Sequence, residues 1–303
     1  MPEKKFPVEI DYEFYRQYHE DLRAFSEQEL EKHYLQYGRR EGRLVSLAQS
    51  RSGFVSILRT FHSSLEIGPF DRPIITNVTA RYFDVQSTEQ LRQRAAQLDD
   101  RNPNGVPHIH YVSPTGDLSI VSDRFPLVIS SHAIEHQPDF VAHLQQVSRI
   151  LDERGCYALL IPDCRYCFDH FLPPSNIGMI IDAHTERRRF HRLASIIEHH
   201  ALTTHNDSLR HWLGDHEFQE RGSIRRIQNA IREWNEAKGS YIDVHAWQFT
   251  PQSFREITEI LHKLGMSRLK PLRVYGTPHG SNEFCAVLIN DDSADKIQMS
   301  KKQ

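Results

Sequence analysis

Ser64-Leu65-Glu66-Ile67-Gly68-Pro69-Phe70-Asp71 is a short apolar run closed by a carboxylate, a glycine and a proline. That order suits a buried strand opening into a tight turn, where glycine lets the backbone approach a ligand. In an open α/β sheet such a turn lies at the carboxyl edge, where ligands bind. A plain strand exit would look the same, so the intervals that follow decide.

They alternate. Thr79 to Phe83 reads as a strand ending at Asp84, and Ser87-Thr88-Glu89-Gln90 caps a helix running to about Leu98. His108 to Val112 precedes a turn at Pro114-Thr115-Gly116-Asp117-Leu118. Pro126 to Ser131 is continuously apolar, as expected of a strand buried on both faces, and leads to His132-Ala133-Ile134-Glu135-His136. A helix follows with Pro138 near its first turn and Phe140, Leu144, Val147 and Leu151 on one face. Gly155 is expected to end it, and Cys156 to Ile161 makes a fifth strand stopping at Pro162-Asp163. Thr250 and Pro251 open a further helix carrying Phe254, Ile257, Leu261 and Leu264, stopped by Gly265. Arg268 to Tyr275 and Glu283 to Ile289 close the pattern as strands joined by a Gly/Pro/Asn-rich hairpin connection. Strands alternating with helices mean a parallel α/β sheet.

Between Gly68 and Ala80 there is barely room for a crossover helix. The spacing predicts an abbreviated, extended first crossover through Asp71-Arg72-Pro73.

The 303 residues carry 37 Lys plus Arg against 40 Asp plus Glu, a net charge of -3 that offers no general attraction to nucleic acid or anionic membrane. No apolar run approaches a membrane span, and Met-Pro-Glu-Lys-Lys-Phe lacks the apolar core of a signal peptide. Four cysteines do not make a disulfide framework in a chain this long, so a reducing cytoplasm is the expected location.

Residues 1–50 read as a helical N-terminal module, with Tyr12, Tyr15, Tyr18 and Leu22 at helical spacing. Ser26 to Glu29 forms a capping box for a second helix that Gly38 is expected to stop. Residues 51–163 and 241–290 form the α/β domain, and 164–240 a His- and Arg-rich helical insertion. The polar tail, 291–303, is expected to be disordered.

Five parallel strands followed by a helix and an antiparallel pair resemble the order of a class I S-adenosylmethionine-dependent methyltransferase. Leu65 to Pro69 resembles the first motif of that family, and Tyr82-Phe83-Asp84 the acidic end of its second strand. Gly116-Asp117-Leu118 resembles the adenine-binding turn, and Phe125 to His136 the fourth strand and its exit. The resemblance implies a Rossmann-like seven-stranded sheet, mostly parallel with an antiparallel terminal strand. It also implies S-adenosylmethionine as cofactor, held by Glu66, Gly68, Pro69, Asp84, Asp117, Leu118, Ser131 and His132. The chemistry suits those residues. Glu66 can orient water or the cationic amino-acid part, Asp84 can accept both ribose hydroxyls, and Asp117 can accept from the adenine amine. A nicotinamide enzyme would need further glycines after Gly68, where this chain has Phe70 and Arg72.

Three segments extend the resemblance to bacterial methyltransferases associated with surface-polysaccharide genes: Glu66 to Pro73, Ile161 to Phe171, and Asp243 to Pro251. Residues 11–43 resemble a short helical module carried by glycan-assembly proteins, which implies docking to such partners; a helical pair capping the main core is the alternative. A saccharide or sugar-nucleotide hydroxyl is the implied acceptor. O-methyl transfer then needs a group to take the hydroxyl proton. His136, Asp163 and His170 are the candidate catalytic residues, with Arg165, Asp169 and His245 towards the substrate. Asp163, Asp169 and His170 also offer ligands to a hard cation, although no metal is assigned. Each has a structural alternative, such as a helix cap for His136 or a core polar partner for His245. A non-catalytic methyltransferase-like scaffold of a glycan-assembly complex is the competing function.

Overall fold

A computed structural model describes residues 2–217 and 223–291. Seven strands form one sheet: β1 (Ser64–Ile67), β2 (Ala80–Asp84), β3 (Tyr111–Val112), β4 (Phe125–Ser131), β5 (Leu151–Pro162), β6 (Leu269–Val274) and β7 (Glu283–Asn290). Their order is β3-β2-β1-β4-β5-β7-β6. The first five run parallel, and β7 is antiparallel to both β5 and β6. This is the expected Rossmann-like methyltransferase sheet. Strand order reverses between β1 and β4, so the chain leaves those neighbours in opposite directions and opens a crevice at their carboxyl ends.

The apolar runs are continuous because both faces of the sheet are covered. Val128, Leu159 and Ile161 enter one core with Leu144, Val147 and Trp247; Leu127, Ile129, Ala158 and Leu160 enter another with Phe54, Leu58 and Leu91. Successive residues alternate between the two, as strand geometry requires. The helices Thr88–Ala95 and Pro251–Lys263 begin at the expected caps, Ser87 and Thr250.

Two glycines act differently from expectation. The helix after β4 spans Phe140–Ile150, and Leu151 already belongs to β5. Leu151 pairs with Phe125, after which the register jumps so that Cys156 pairs with Leu127. Gly155 sits in that irregularity, where a Cβ would come within 2.8 Å of the Phe125 carbonyl oxygen. It admits a bulge rather than ending the helix. Gly38 likewise has helical backbone, φ −56°, and the helical path continues to Gly42, whose φ of 64° terminates it. Close packing explains Gly38, since a Cβ there would lie 2.2 Å from the buried Tyr15 hydroxyl, which bonds His33 Nδ1. Gly38→Ala is therefore expected to cost about 1–3 kcal/mol through overpacking. Calorimetric melting would read it as a fall in Tm; an unchanged Tm would mean that the tyrosine moves freely.

The first crossover, residues 68–79, contains no helix. Glu66 holds this strap in place: its carboxylate accepts from the Ile74 amide at 2.9 and 3.0 Å and from Ile75 at 3.4 Å.

The N-terminal helices enclose a small core of Tyr15, Leu22, Leu30, Tyr34 and Val45. They are tied to the terminal hairpin and the helix before it: Glu9 accepts from the Val274 amide at 2.8 Å and pairs with Arg255 of the helix Pro251–Lys263, and Pro7 O accepts from Tyr275 and Arg273. Among the described residues the insertion holds four helices, Ile177–Thr185, Leu193–Ala201, Ser208–Trp212 and Ile224–Ala237. The expected disordered tail, 291–303, lies outside the described residues except for Asp291.

Candidate active site

A cavity of about 630 Å³ opens above the carboxyl ends of β1, β2 and β4. Glu66, Gly68, Pro69, Asp84, Ser131 and His132 line it, as do His136 and His245. The insertion contributes Phe168, Arg189, Phe190 and His199. Six expected residues stand elsewhere, Asp117, Leu118, Asp163, Arg165, Asp169 and His170, each for a visible reason. Asp117 caps a 3₁₀ turn through the Ser119 amide and accepts from Gln146, while Leu118 is fully buried beneath it. Asp163 is fully buried, clamping Arg165 by two bonds and accepting from Thr277. His170 Nδ1 donates to Arg165 O and its ring stacks on His216 at 3.7 Å. Pro114, Thr115 and Gly116 are the residues of the Asp117 turn that do face the cavity.

At the β1–β2 end the backbone is opened by Gly68, φ 70°, where an added Cβ would stand 3.3 Å from Ala133 Cβ. Phe70 also has positive φ, 44°, and its ring is flanked by Arg94 and Arg101 at 5.4 and 5.2 Å. Asp84 closes β2 and is 8% exposed. It accepts the Gln86 amide at 2.9 Å, yet burial pushes its pKa up to about 6.

Burial also pushes Glu66 up to about 7, against the pull of the Ile74 and Ile75 amides. A carboxyl raised in the folded state is protonated there after its unfolded counterpart has ionised. Stability is therefore full below the ordinary value near 4.5 and declines as pH rises towards 7, by about 3 kcal/mol. Glu66→Gln is expected to flatten the fall in Tm between pH 5 and 7. A fall as steep as in the native chain would refute this assignment.

The far end of the cavity is built around Glu135, which the expected site omits although it stands between two quoted residues. After β4, His132 adopts φ 51° and a 3₁₀ turn, Ile134–His136, follows. The amides of Ala246 and Trp247 donate to Glu135 O at 2.8 and 3.2 Å, bringing His245 alongside His136. Their rings meet edge to face at 4.7 Å. His245 Nδ1 lies 2.6 Å from Asp169 Oδ2, and His136 Nδ1 lies 3.1 Å from Asp243 Oδ1. Asp169 thus stands behind His245 and not on the cavity wall. Burial opposes the charge of His136, but Asp243 and Glu135 raise its pKa on balance. Asp243 in turn is held below the usual carboxylate range by His136 and Arg94 despite its burial. His191 and His199 are pushed down to about 4 by burial, which keeps them neutral. His132 bonds Glu283 at 2.8 Å, and Glu283 pairs with Arg51 at 2.7 Å. The sequence signal for Asp243 was its place beside His245; nothing marked Tyr241 or Arg94 as cavity residues.

No protein-family model matches the chain, and no curated protein matches it. Solved structures similar to it include the CcbJ methyltransferase of Streptomyces caelestis, 11% identical over 78% of this chain and 86% of that one, TM-score 0.38. An S-adenosylmethionine-dependent methyltransferase from Clostridium acetobutylicum is 9% identical over 86% and 97%, TM-score 0.39. A Rhodobacter sphaeroides structure named for Zn-dependent alcohol dehydrogenases is 11% identical over 81% and 91%, TM-score 0.43. Likeness at this level adds nothing to the chemistry of the cavity. Among the described residues no helix is long and apolar enough to cross a membrane.

Proposed function

We propose that the chain is an S-adenosylmethionine-dependent methyltransferase acting on a hydroxyl of a saccharide or sugar nucleotide. The observation that carries this reading is one cavity, at the switch point of a methyltransferase sheet, with a buried carboxylate at one end and an imidazole–carboxylate group at the other. The near end fits the cofactor. Gly68 leaves space that a side chain would fill, and Asp84 is kept in a buried position that raises its pKa, where a diol can donate to it. Gly116, φ 70°, and Thr115 offer backbone to the adenine side in place of the Asp117 carboxylate. Bound S-adenosylmethionine supplies an electrophilic methyl group. The chain's own task is to orient the acceptor and deal with its hydroxyl proton. Of the three residues first considered for catalysis, His136 alone lines the cavity, so that task falls to the group containing Glu135, His136 and His245.

The acceptor class rests on the sequence resemblance and on the walls of the far end. Phe168, Phe190 and Tyr241 present apolar ring surface, and Arg189 stands exposed at the cavity with no ion pair among the described residues. Aromatic faces and a free guanidinium suit a sugar bearing phosphate. Four buried, unpaired cysteines support a reducing cytoplasm, and docking of the N-terminal helices on glycan-assembly proteins remains part of the proposal. Calorimetric titration with S-adenosylmethionine and S-adenosylhomocysteine tests the enzyme reading. Micromolar binding is expected; no binding by folded protein would replace it with the scaffold reading.

A further inference from the structure

Glu135 is fully buried, and neither carboxylate oxygen has a hydrogen-bond partner among the described residues. Leaving such a group unmatched is costly. Three imidazoles surround it, but none reaches it: Oε1 lies 3.8 Å from His136 Nε2, 3.8 Å from His245 Nε2 and 3.9 Å from His132 Nδ1. Those separations are too long for hydrogen bonds and suit atoms that share a cation. Ligand atoms of Glu135, His136 and His245 all lie within 4.8 Å of one another. Three atoms so spaced surround a centre about 2.2–2.5 Å from each, close to the Zn–N and Zn–O bond lengths of about 2.0–2.2 Å.

We propose that Glu135, His136 and His245 bind one divalent first-row transition cation, with its open coordination positions towards the cavity. The outer partners agree. Asp169 bonds His245 Nδ1 at 2.6 Å, so that imidazole carries its proton away from Glu135 and turns its Nε2 lone pair to the shared centre, and Asp243 Oδ1 lies 3.1 Å from His136 Nδ1 on the corresponding outer side. Two imidazoles and one carboxylate are a donor set for zinc or iron(II) rather than magnesium or calcium. The earlier cation candidate, Asp163, Asp169 and His170, is dispersed: Asp163 binds Arg165 and Thr277, whereas Asp169 serves His245. Only the further step, an acceptor oxygen as fourth ligand, rests on the methyltransferase reading.

Untagged full-length chain, stripped with chelator, would be titrated with Co²⁺ by calorimetry and visible absorption, then competed with Zn²⁺. One equivalent of Co²⁺ with a ligand-field band, displaced by Zn²⁺, is expected. Glu135→Gln should weaken it at least about 100-fold, and Asp169→Asn about 10- to 100-fold by releasing His245. Circular dichroism would confirm that each variant folds; if Glu135→Gln does not, Asp169→Asn decides. His211→Ala, in a separate imidazole cluster with His170 and His216, should leave affinity unchanged. No uptake by folded native chain, or loss through His211→Ala with Asp169→Asn unaffected, would overturn the proposal. S-adenosylhomocysteine titration of the stripped chain separates the two readings, since cofactor binding with no Co²⁺ site would sink this one alone.

Discussion

Asp84→Asn is expected to weaken S-adenosylmethionine binding by about 100-fold or more while raising the stability of the free protein. The two effects have one cause. Burial lifts the Asp84 carboxyl from 3.8 to about 6, so the fold works against ionisation of a group that the unfolded chain ionises freely. At neutral pH that opposition costs about 3 kcal/mol. Asparagine keeps an oxygen for the Gln86 amide, 2.9 Å away, and removes the charge. What it would lose is the anion to which, on the proposed function, two ribose hydroxyls would donate; two charge-assisted bonds at about 1.5–3 kcal/mol each give the stated factor. A residue retained against stability is retained for binding. Cofactor affinity in the native chain should also rise with pH up to about 6 and then level, because the ionised form is the acceptor. Titrations with S-adenosylhomocysteine from pH 5 to 8, paired with melts of both proteins, check all three statements. Equal affinity of the two proteins, or a less stable variant, would remove Asp84 from the cofactor site.

The sheet was legible because its signals are local. Pro126 to Ser131 and Cys156 to Ile161 are apolar runs that only a strand covered on both faces requires, and the twelve residues from Gly68 to Thr79 leave no length for a crossover helix. The near end of the cavity followed, since Gly68 and Asp84 sit at strand ends whose position the pattern defines. Glycine roles were harder. Gly38 and Gly155 are set by Tyr15 and by the Phe125 carbonyl, contacts between distant parts of the chain that no window contains. The far end was illegible for the same reason. Glu135 gains its meaning only when Ala246 and Trp247 bond its carbonyl and bring in His245 from 110 residues away. Asp163 and Asp169 stand six residues apart and look equivalent in sequence. One closes on Arg165, the other on His245.

Trp247 joins the core to that assembly, and Trp247→Ala should show it. The side chain is 2% exposed among Phe140, Phe249 and Phe254, and its indole nitrogen donates to Gln137 O at 2.7 Å. Truncation leaves a cavity and an unpaired carbonyl, for an expected loss of about 3–5 kcal/mol. Trp247→Phe keeps most of the ring volume and forfeits the hydrogen bond, for about 1–3 kcal/mol. Its more telling effect lies in the site. With the indole bond gone, the turn carrying Glu135 and His136 loses one of its ties to the segment carrying Asp243 and His245. The imidazole NMR signals of His136 and His245 should therefore shift in Trp247→Phe, while affinity for S-adenosylhomocysteine, set by β1 and β2, stays near the native value. Lowered stability with unmoved imidazole signals would make Trp247 a packing residue only. Moved signals with intact cofactor binding would show that the two ends of the cavity are built independently, one by strand exits and the other by a tryptophan that pins a turn.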